Sequence, residues 1–583
     1  MACTSASPPA KTPSVVLYND SDLQHCFVHV GSEKPAIESA YGAALTSTHS
    51  PNAFFAIDTS RSDALQRLRP EQDSALPDGA LQPGGRVNLL AHENLGLLLN
   101  YFAIGIFNGV LPALVYPLFK IYLNQEGYQS NATSSLLNFA WYLKFPLGFL
   151  SDSVPIRGYR RKPYIYLGWS LLVVVMVALA CMPTIEPYQR NGVVVNADAA
   201  AHSPSYVIPL MLASIGYLLA DVACDGLMVE YAHRECASTR GGALTMVYGT
   251  RFCAELCGTL VVALGLNSRD YGGSFAFALP LRFLFAGLAG VGVLAVVTTR
   301  CHIREQRVVI ETMRSRLRGV GRIIRHRATW QITLYGFLQF FTLAFDVSPS
   351  NTILFVWLQT PPLTKSLFYC VNSAIYACAT FAMRNYLLHL NWRHLVLVST
   401  VCGVLVGLPT ALVTVFDVFR DKYFYLAMEQ VVAFFDALAM MVRLLVIVEI
   451  AEPGFESSTY ALVTTVYNLA IPVMTTVSNV IGTALSVYDD DLARDTSSVR
   501  WHVASSFFVM YGLRLVGSLV ALPLLPQQKD HARELKLHGS SNALTGALIF
   551  TAFAGVFLAS LTSNLLSIVE STACLRFAGG DGC

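Results

Sequence analysis

The sequence is short of charged residues: Asp, Glu, Lys and Arg make up 13% of its 583 residues. A water-soluble globular chain carries about 25%, so the shortage excludes an ordinary soluble domain and indicates that lipid is the main solvent. The chain also lacks a P-loop, a Gly-x-Ser-x-Gly turn and a His-Glu-x-x-His helix. We therefore expect no enzyme, and we expect no nucleic-acid partner.

Closely spaced cysteine pairs are missing too, although the chain has 13 cysteines. Without a Cys-x-x-Cys pair or a Cys/His run at zinc spacing, a disulfide scaffold and a zinc site are excluded, and we expect no metal and no cofactor. Cys253 and Cys257 are four residues apart in an apolar stretch, where packing is the expected role. Cys574 and Cys583 flank a Gly-rich tail and would form a disulfide if that tail faces a lumen or the exterior.

The N-terminal region has no signal peptide that we can recognise, because no apolar segment follows a basic start. Residues 1–92 are instead rich in Ser, Pro and Ala, and we expect a disordered cytosolic tail there. Targeting must then come from the first membrane segment.

Long apolar runs are abundant. A membrane-spanning helix needs about 20 mainly apolar residues, and thirteen runs approach that length. They lie near 95–119, 133–150, 163–183, 206–229, 243–266, 279–298, 328–347, 365–383, 394–415, 423–448, 458–485, 502–525 and 543–568. The pattern predicts an all-α membrane protein in five parts. These are the tail 1–92, a six-helix bundle 93–298, a basic linker 299–327, a second six-helix bundle 328–526, and a segment 527–583 with a polar linker, an additional helix and a Cys-containing tail.

The linker 299–327 contains nine arginines and fixes the expected orientation. By the positive-inside rule it is cytosolic, which makes the N-terminus cytosolic as well. It is either an amphipathic helix on anionic headgroups or a solvated run of charge. Asn131 in Asn131-Ala132-Thr133 then becomes an outer glycosylation site. We expect the plasma membrane rather than an organelle.

The two halves share a pattern at the ends of their fourth helices. Val-Glu-x-Ala occurs at 229–232 and at 448–451, and several identities follow at common offsets. The matched pairs are Ser238/Ser457, Thr245/Thr464, Val247/Val466 and Tyr248/Tyr467. Chance identity in apolar sequence is one explanation; a duplicated transporter half is the better one, because the matches fall on equivalent helices.

The segment 148–162, GFLSDSVPIRGYRRK, resembles the glycine–aspartate–basic signature between helices two and three of the major facilitator superfamily. Asp152 at a helix end can pair with Arg157, Arg160 or Arg161. Such a cluster can hold one face of a transporter closed in one state and release it in the other. A basic topology anchor is the alternative, and the segment can serve as both.

A wider resemblance points to the folate–biopterin transporter family. It rests on WYLKFPLG at 141–148, ADVACDG at 220–226, and EPGFE at 452–456 with Asn468. It covers roughly residues 97–526, with a departure over 365–393. The resemblance implies a major facilitator fold of twelve helices, alternating access, and folate or pterin-like solutes moved together with protons.

Ionisable residues inside apolar runs are site candidates, because charge in a membrane is costly. Asp221 and Asp225 are four residues apart, hence on one helix face, and can load and release a proton. Arg251, with Glu255 one turn on, can neutralise them or bind a substrate carboxylate. A structural ion pair is the alternative.

The second half offers matching candidates on its fourth helix. Glu429, Asp436 and Arg443 are spaced by seven and share one stripe. We expect Arg443 to bind substrate and Asp436 to carry a proton, whereas Glu429 lies nearer the outer end. Arg514 fits either a structural or a functional role.

Three further residues are expected to bind a pterin-like ring, and one lysine to act at a gate. Trp141, Tyr248 and Asn468 would supply aromatic faces and hydrogen bonds, although helix–helix contact suits each as well. Lys144 is one turn from a cytosolic helix end and could snorkel, which favours gating. Transport of another small organic solute, and a non-transporting receptor or scaffold, remain open alternatives.

Overall fold

The computed structural model describes residues 78–568 and Thr572, with gaps at 126, 191–192, 309–310, 348–349 and 351–352 and at scattered positions between 472 and 488. Most of the expected N-terminal tail and the Cys574–Cys583 pair therefore lie outside the described residues. The described part is mainly helical. A two-stranded hairpin, β1 Gln189–Arg190 and β2 Val193–Val194, interrupts it.

The described residues of the first half form seven α-helices. They are α1 Leu95–Leu114, which continues as a π-helix over Val115–Tyr122, α2 Gly127–Asn138, α3 Lys144–Ser153, α4 Lys162–Cys181, α5 Pro204–His233, α6 Gly242–Gly265 and α7 Leu281–His302. The predicted span 133–150 is thus not one continuous α-helix, because a 3-10 turn over Phe139–Leu143 separates α2 from α3. Pro146 explains the break, since it has no N–H for the Tyr142 carbonyl and crowds that oxygen.

The described residues of the linker, the second half and the C-terminal segment form ten more. They are α8 Met313–Arg325, α9 Arg327–Ala344, α10 Pro362–Ala382, α11 Trp392–Val415, α12 Lys422–Ile450, α13 Glu456–Asn468, α14 Asp489–Arg494, α15 Ser497–Ala521, α16 Lys529–His538 and α17 Ala543–Ile568. In the described part, nine helical stretches are long and apolar enough to cross a membrane. The count of twelve plus one stays a prediction.

The loop between α3 and α4 and the loop between α5 and α6 lie together with α8 and α16 at one end of the bundle. We call this end the basic face. The Val308 N–H donates to the Gly158 carbonyl at 2.9 Å, and Lys529 Nζ donates to the Ala237 carbonyl at 2.9 Å. The predicted linker 299–327 does contain a helix, α8, whose Val320 and Ile323 pack on Phe455. The other end is called the opposite face; it carries the turn Arg269–Tyr271.

The additional C-terminal helix α17 packs on both halves. Its Phe553 contacts a cluster that includes Tyr142 of the first half and Phe337 and Val466 of the second. At 26 residues and about 1.5 Å per residue, α17 is long enough to cross the hydrocarbon core of about 30 Å.

Close helix packing fixes the position of the first-half site. A Cβ on Gly105 would overlap the carbonyl oxygen of Arg251, so α1 and α6 approach closely only because that position is glycine. Between the halves, α3 packs on α13 in the same way. A Cβ on Gly148 would lie 2.8 Å from both the Ser457 carbonyl oxygen and the Ala461 Cβ.

Gly148→Leu is therefore expected to open the basic face. Overpacking costs about 1–3 kcal/mol, which corresponds to a shift of about 5- to 150-fold between closed and open states. Labelling of a cysteine placed at the buried Thr459, in a cysteine-free background, should accelerate accordingly. Gly287→Leu is the matched control, because no atom lies within 4 Å of a Cβ built there. An unchanged labelling rate in folded Gly148→Leu protein would contradict the expectation.

Candidate functional site

The first-half charges meet in a buried group that we call the central cluster: Lys144, Asp221, Asp225 and Arg251. The two carboxylates lie on one face of α5 and are almost fully buried. Lys144 Nζ is 3.0 Å from Asp221 Oδ2 and 2.6 Å from Asp225 Oδ2. Arg251 Nη1 is 3.3 Å from Asp221 Oδ1. Two cations therefore neutralise two carboxylates away from water.

Lys144 does not snorkel toward the basic face, the path that its place in the sequence allows. Its ammonium turns inward, where it pairs with the two carboxylates of α5, and Lys144 is only 1% exposed. The 3-10 turn before α3 places it at the depth of Asp221. The gating role of Lys144 stays a prediction.

Aromatic side chains enclose the central cluster. Lys144 Nζ and the Arg251 guanidinium lie 5.2 and 5.3 Å from the centroid of the Trp141 ring. Two cations against one indole are a favourable arrangement in a desolvated site. The Tyr248 hydroxyl is 2.8 Å from that of Tyr460, which belongs to the second half.

Two further residues are partners of the cluster. The Tyr101 hydroxyl donates to Asp225 Oδ1 at 2.5 Å, and the Asn108 amide oxygen accepts from Arg251 Nε at 2.7 Å. Asn108 is an amide in an apolar run, and the sequence therefore predicts that it forms a hydrogen bond inside the bundle. Tyr101 was not predicted, because tyrosine is common in membrane helices.

The second half presents a different arrangement around Arg443. Its Nη1 donates to Gln339 Oε1 at 2.7 Å, and the guanidinium lies 4.8 and 5.2 Å from the rings of Phe340 and Tyr467. Arg443 is 5% exposed, and its Nε has no hydrogen-bond partner among the described residues. Among the residues that the structure describes, no carboxylate lies within ion-pair distance of it.

The remaining candidates from the sequence lie apart from Arg443. Asp436 pairs with Arg514 rather than with the arginine two turns along its own helix. Asn468 is the last residue of α13 and follows Tyr467 directly. Glu255, one turn from Arg251, accepts from the Ser373 hydroxyl at 3.2 Å.

The signature segment forms a network across the halves at the basic face. Asp152 pairs with Arg161, whose Nη2 is 2.9 Å from Glu230 Oε1 and 3.0 Å from Glu456 Oε2. Asp152 Oδ2 also accepts from the N–H and the hydroxyl of Ser458, both at 2.6 Å. Because Glu456 and Ser458 belong to the second half, this network joins the two halves at the basic face.

The remaining basic residues of that segment take different positions. Arg160 Nη1 donates to the Gly454 carbonyl at 3.1 Å and so joins the contact between halves. Arg157 has φ of 54°, is exposed and lies outside the network. A second ion pair also joins the two halves at this face, since Arg240 Nε is 2.7 Å from Glu449 Oε1.

Glu235, in the loop between α5 and α6, gives this face a pH dependence. Its carboxylate accepts from the Gly241 and Ala243 N–H groups at 2.9 and 3.0 Å. Burial nevertheless raises the pKa of Glu235 from 4.5 to about 7. Folding therefore favours the protonated form of Glu235. The contribution of this group to the free energy of unfolding is complete below pH 4.5 and disappears as the pH rises through about 7.

Glu235→Gln should flatten this dependence. At 1.36 kcal/mol per pKa unit, the free energy of unfolding of the wild-type protein falls by up to about 3 kcal/mol between pH 5 and 8. That of the variant should change little. Melting curves of the purified protein across that range check the expectation. Glu534→Gln, a substitution in α16, serves as the control. If the melting temperature fell equally with rising pH in wild-type and Glu235→Gln protein, the expectation for Glu235 would be contradicted.

Comparisons with known proteins agree on a family. The BT1 family model matches residues 105–536. A folate-biopterin transporter of Synechocystis sp. is 23% identical over 405 residues, covering 66% of this chain and 73% of the relative. Probable folate-biopterin transporter 4 of Arabidopsis thaliana is 27% identical over 170 residues, covering 29% and 31%. The predicted family is confirmed.

Solved structures agree on the fold. A crystal structure of the D-xylose-proton symporter has a TM-score of 0.54 at 15% identity, covering 74% of this chain and 97% of that one. The major facilitator proton:xylose symporter XylE bound to 6-bromo-6-deoxy-D-glucose has a TM-score of 0.52 at 14% identity, covering 76% and 98%. The predicted major facilitator fold is thereby confirmed.

Proposed function

Because the chain belongs to the BT1 family, we propose that it carries folate- or pterin-type solutes across a membrane, driven by protons. Family and fold are those of multi-pass membrane transporters. Relatives named as folate-biopterin transporters motivate the substrate class. The observation that carries the proposal is the buried Arg443, which lacks a carboxylate partner among the described residues.

Arg443 is suited to an anionic solute. A buried guanidinium without a counter-ion is costly, and a substrate carboxylate would remove that cost through paired N–H···O bonds. The Phe340 and Tyr467 rings beside it offer flat faces to a heterocycle. Folates combine a pterin ring with carboxylates, so one molecule can satisfy both features.

The central cluster is suited to proton coupling. Lys144 contacts two carboxylates, so protonation of Asp225 leaves the ammonium with Asp221 alone. The Tyr248–Tyr460 hydrogen bond links the cluster to the second half, so that a proton there can influence how the halves meet. Asp436, paired with Arg514, is the second-half candidate.

Alternating access then requires the basic-face network to open. By the positive-inside rule this face is cytosolic, which makes the described state closed toward the cytosol. Asp152, Arg160 and Arg161 are the gating residues in this scheme. Asn131, whose side chain lies outside the described residues, stays the predicted outer glycosylation site, and the plasma membrane stays the predicted location.

Counterflow in proteoliposomes tests the substrate class. Vesicles with the purified protein are loaded with folic acid, a reduced folate, biopterin or an unrelated sugar, and uptake of labelled folate is followed. We expect folates and pterins, but not the sugar, to drive exchange. Exchange driven by other solutes alone would indicate a transporter of another class, and no exchange with any solute would favour a receptor or scaffold.

A further inference from the structure

A cavity lies at the opposite face, where α1, α6 and α10 meet, and hence between the two halves. Its volume is about 270 Å³. Tyr116, Asn267, Tyr271, Lys365 and Tyr369 are among the residues that line it. We call it the opposite-face pocket. None of these residues was a candidate in the sequence.

Two buried polar groups of the pocket wall have no partner. Asn267 is 6% exposed and Thr259 is 2% exposed, and both line the pocket. Asn267 Nδ2 and Thr259 Oγ1 have no hydrogen-bond partner within the described part of the chain. An unsatisfied buried polar group costs about 1–3 kcal/mol, so each is a place where a ligand atom would gain a hydrogen bond.

The rest of the wall suits a flat ring. Three tyrosines, Tyr116, Tyr271 and Tyr369, line the pocket with mostly apolar neighbours. Tyr271 is held in place by stacking on Tyr122, with ring centroids 4.7 Å apart and planes at 18°. Lys365 adds a cationic group, within electrostatic reach of Glu429. Aromatic faces with a few directed donors are typical of sites for heteroaromatic ligands.

A line of contacts connects the pocket with the central cluster. Below Tyr369 on α10, Ser373 donates to Glu255, and the Tyr376 ring lies 5.3 Å from that of Phe252. The Phe252 ring is in turn 6.3 Å from that of Tyr248. Seven helical residues separate Tyr369 from Tyr376, or about 10 Å. Tyr369 at the pocket and Tyr376, whose ring contacts Phe252, are thus about two helical turns apart.

We propose that the opposite-face pocket is a docking site at which a planar heteroaromatic solute is held before it reaches the central cluster. The proposal rests on the proposed function for the identity of the solute. Asn267 Nδ2 donates to an acceptor atom of the ring system, Thr259 completes a second hydrogen bond, and the tyrosines contact the ring faces. Uptake from the opposite face passes through this site, whereas movement from the basic face reaches the central cluster first.

Two nearly isosteric variants test the site. Asn267→Asp removes the amide donor, and Thr259→Val removes the hydroxyl. Thr298→Val is the matched control, because its hydroxyl only bonds the Ala295 carbonyl within its own helix. The first readout is binding of pterin, whose own fluorescence reports it, to the purified full-length protein. We expect Asn267→Asp and Thr259→Val to weaken one binding phase about tenfold, the effect of one lost hydrogen bond of about 1.4 kcal/mol.

The second readout is transport from each side of oriented vesicles. We expect both variants to raise KM about tenfold for uptake from the opposite face, with the maximal rate and the KM from the basic face changed less than about twofold. Equal changes from both sides, or pterin binding untouched in both variants, would overturn the docking site. A wild-type protein that binds pterin with Asn267-dependent affinity but never moves it would overturn the proposed function and leave the docking site standing.

Discussion

Arg443→Gln protein is expected to lose folate uptake while keeping most of its uptake of neutral pterins. A charge-assisted hydrogen bond in a buried site contributes about 1.5–3 kcal/mol, which corresponds to a fall of about 10- to 150-fold in kcat/KM for folate. Biopterin has no carboxylate, so its kcat/KM should change less than about threefold. Uptake of both labelled solutes by the same vesicles measures the difference.

The control for this experiment is Arg282→Gln, which removes a guanidinium at an exposed position of α7. It should leave both solutes unaffected. If Arg443→Gln reduced folate and biopterin uptake equally, Arg443 would be a structural residue that supports Gln339 and Tyr467. The charge complementarity on which the substrate class depends would then be contradicted.

Asp225→Asn protein is expected to exchange solute but no longer to accumulate it. The amide oxygen can still accept from the Tyr101 hydroxyl, and Lys144 keeps Asp221, so the cluster stays packed. An amide cannot take up a proton at physiological pH, which removes the coupling step. We expect net uptake under a pH gradient to fall by at least about tenfold, or about 1.4 kcal/mol, with counterflow changed less than about threefold.

Asp530→Asn, in the exposed first turn of α16, is the matched control and should leave both activities intact. Unchanged rate and pH dependence in Asp225→Asn would remove Asp225 from the coupling scheme. A loss of counterflow as well would indicate that Asp225 positions the cluster rather than carries a proton.

Local spacing was enough to predict the charged faces of single helices. Asp221 and Asp225 share a face of α5 because they are four residues apart, and Arg251 does contact Asp221. The burial of the Lys144 ammonium could not be predicted from spacing in the same way. Its distance from the helix end suggested a path to water, but the 3-10 turn over Phe139–Leu143 and the two facing carboxylates determine where it lies.

The choice among three candidate arginines for Asp152 also depended on geometry beyond the spacing. Positive φ angles at Arg157 and Gly158, 54° and 84°, reverse the chain so that Arg161 rather than Arg157 meets Asp152. Glu456 and Ser458, the partners from the second half, are about 300 residues away in sequence. No local pattern predicts such contacts, because they arise only when the two bundles meet.

Fold class and family were predictable, because apolar run length and the 148–162 signature are local properties of the chain. The number of spans was not, since α2 and α3 divide one run and α13 leads into an incompletely described segment. The opposite-face pocket was not predictable either. Asn267 and Thr259 are ordinary residues at helix ends, and only the meeting of α1, α6 and α10 gives them a common cavity.

The most direct test of proton-driven folate transport is concentrative uptake by the purified wild-type protein. Proteoliposomes are given an inward proton gradient, and internal labelled folate and internal pH are recorded together. We predict that folate rises above its external concentration while protons enter, and that a protonophore abolishes both. Folate that only equilibrates, with no proton movement linked to it, would contradict the proposed coupling.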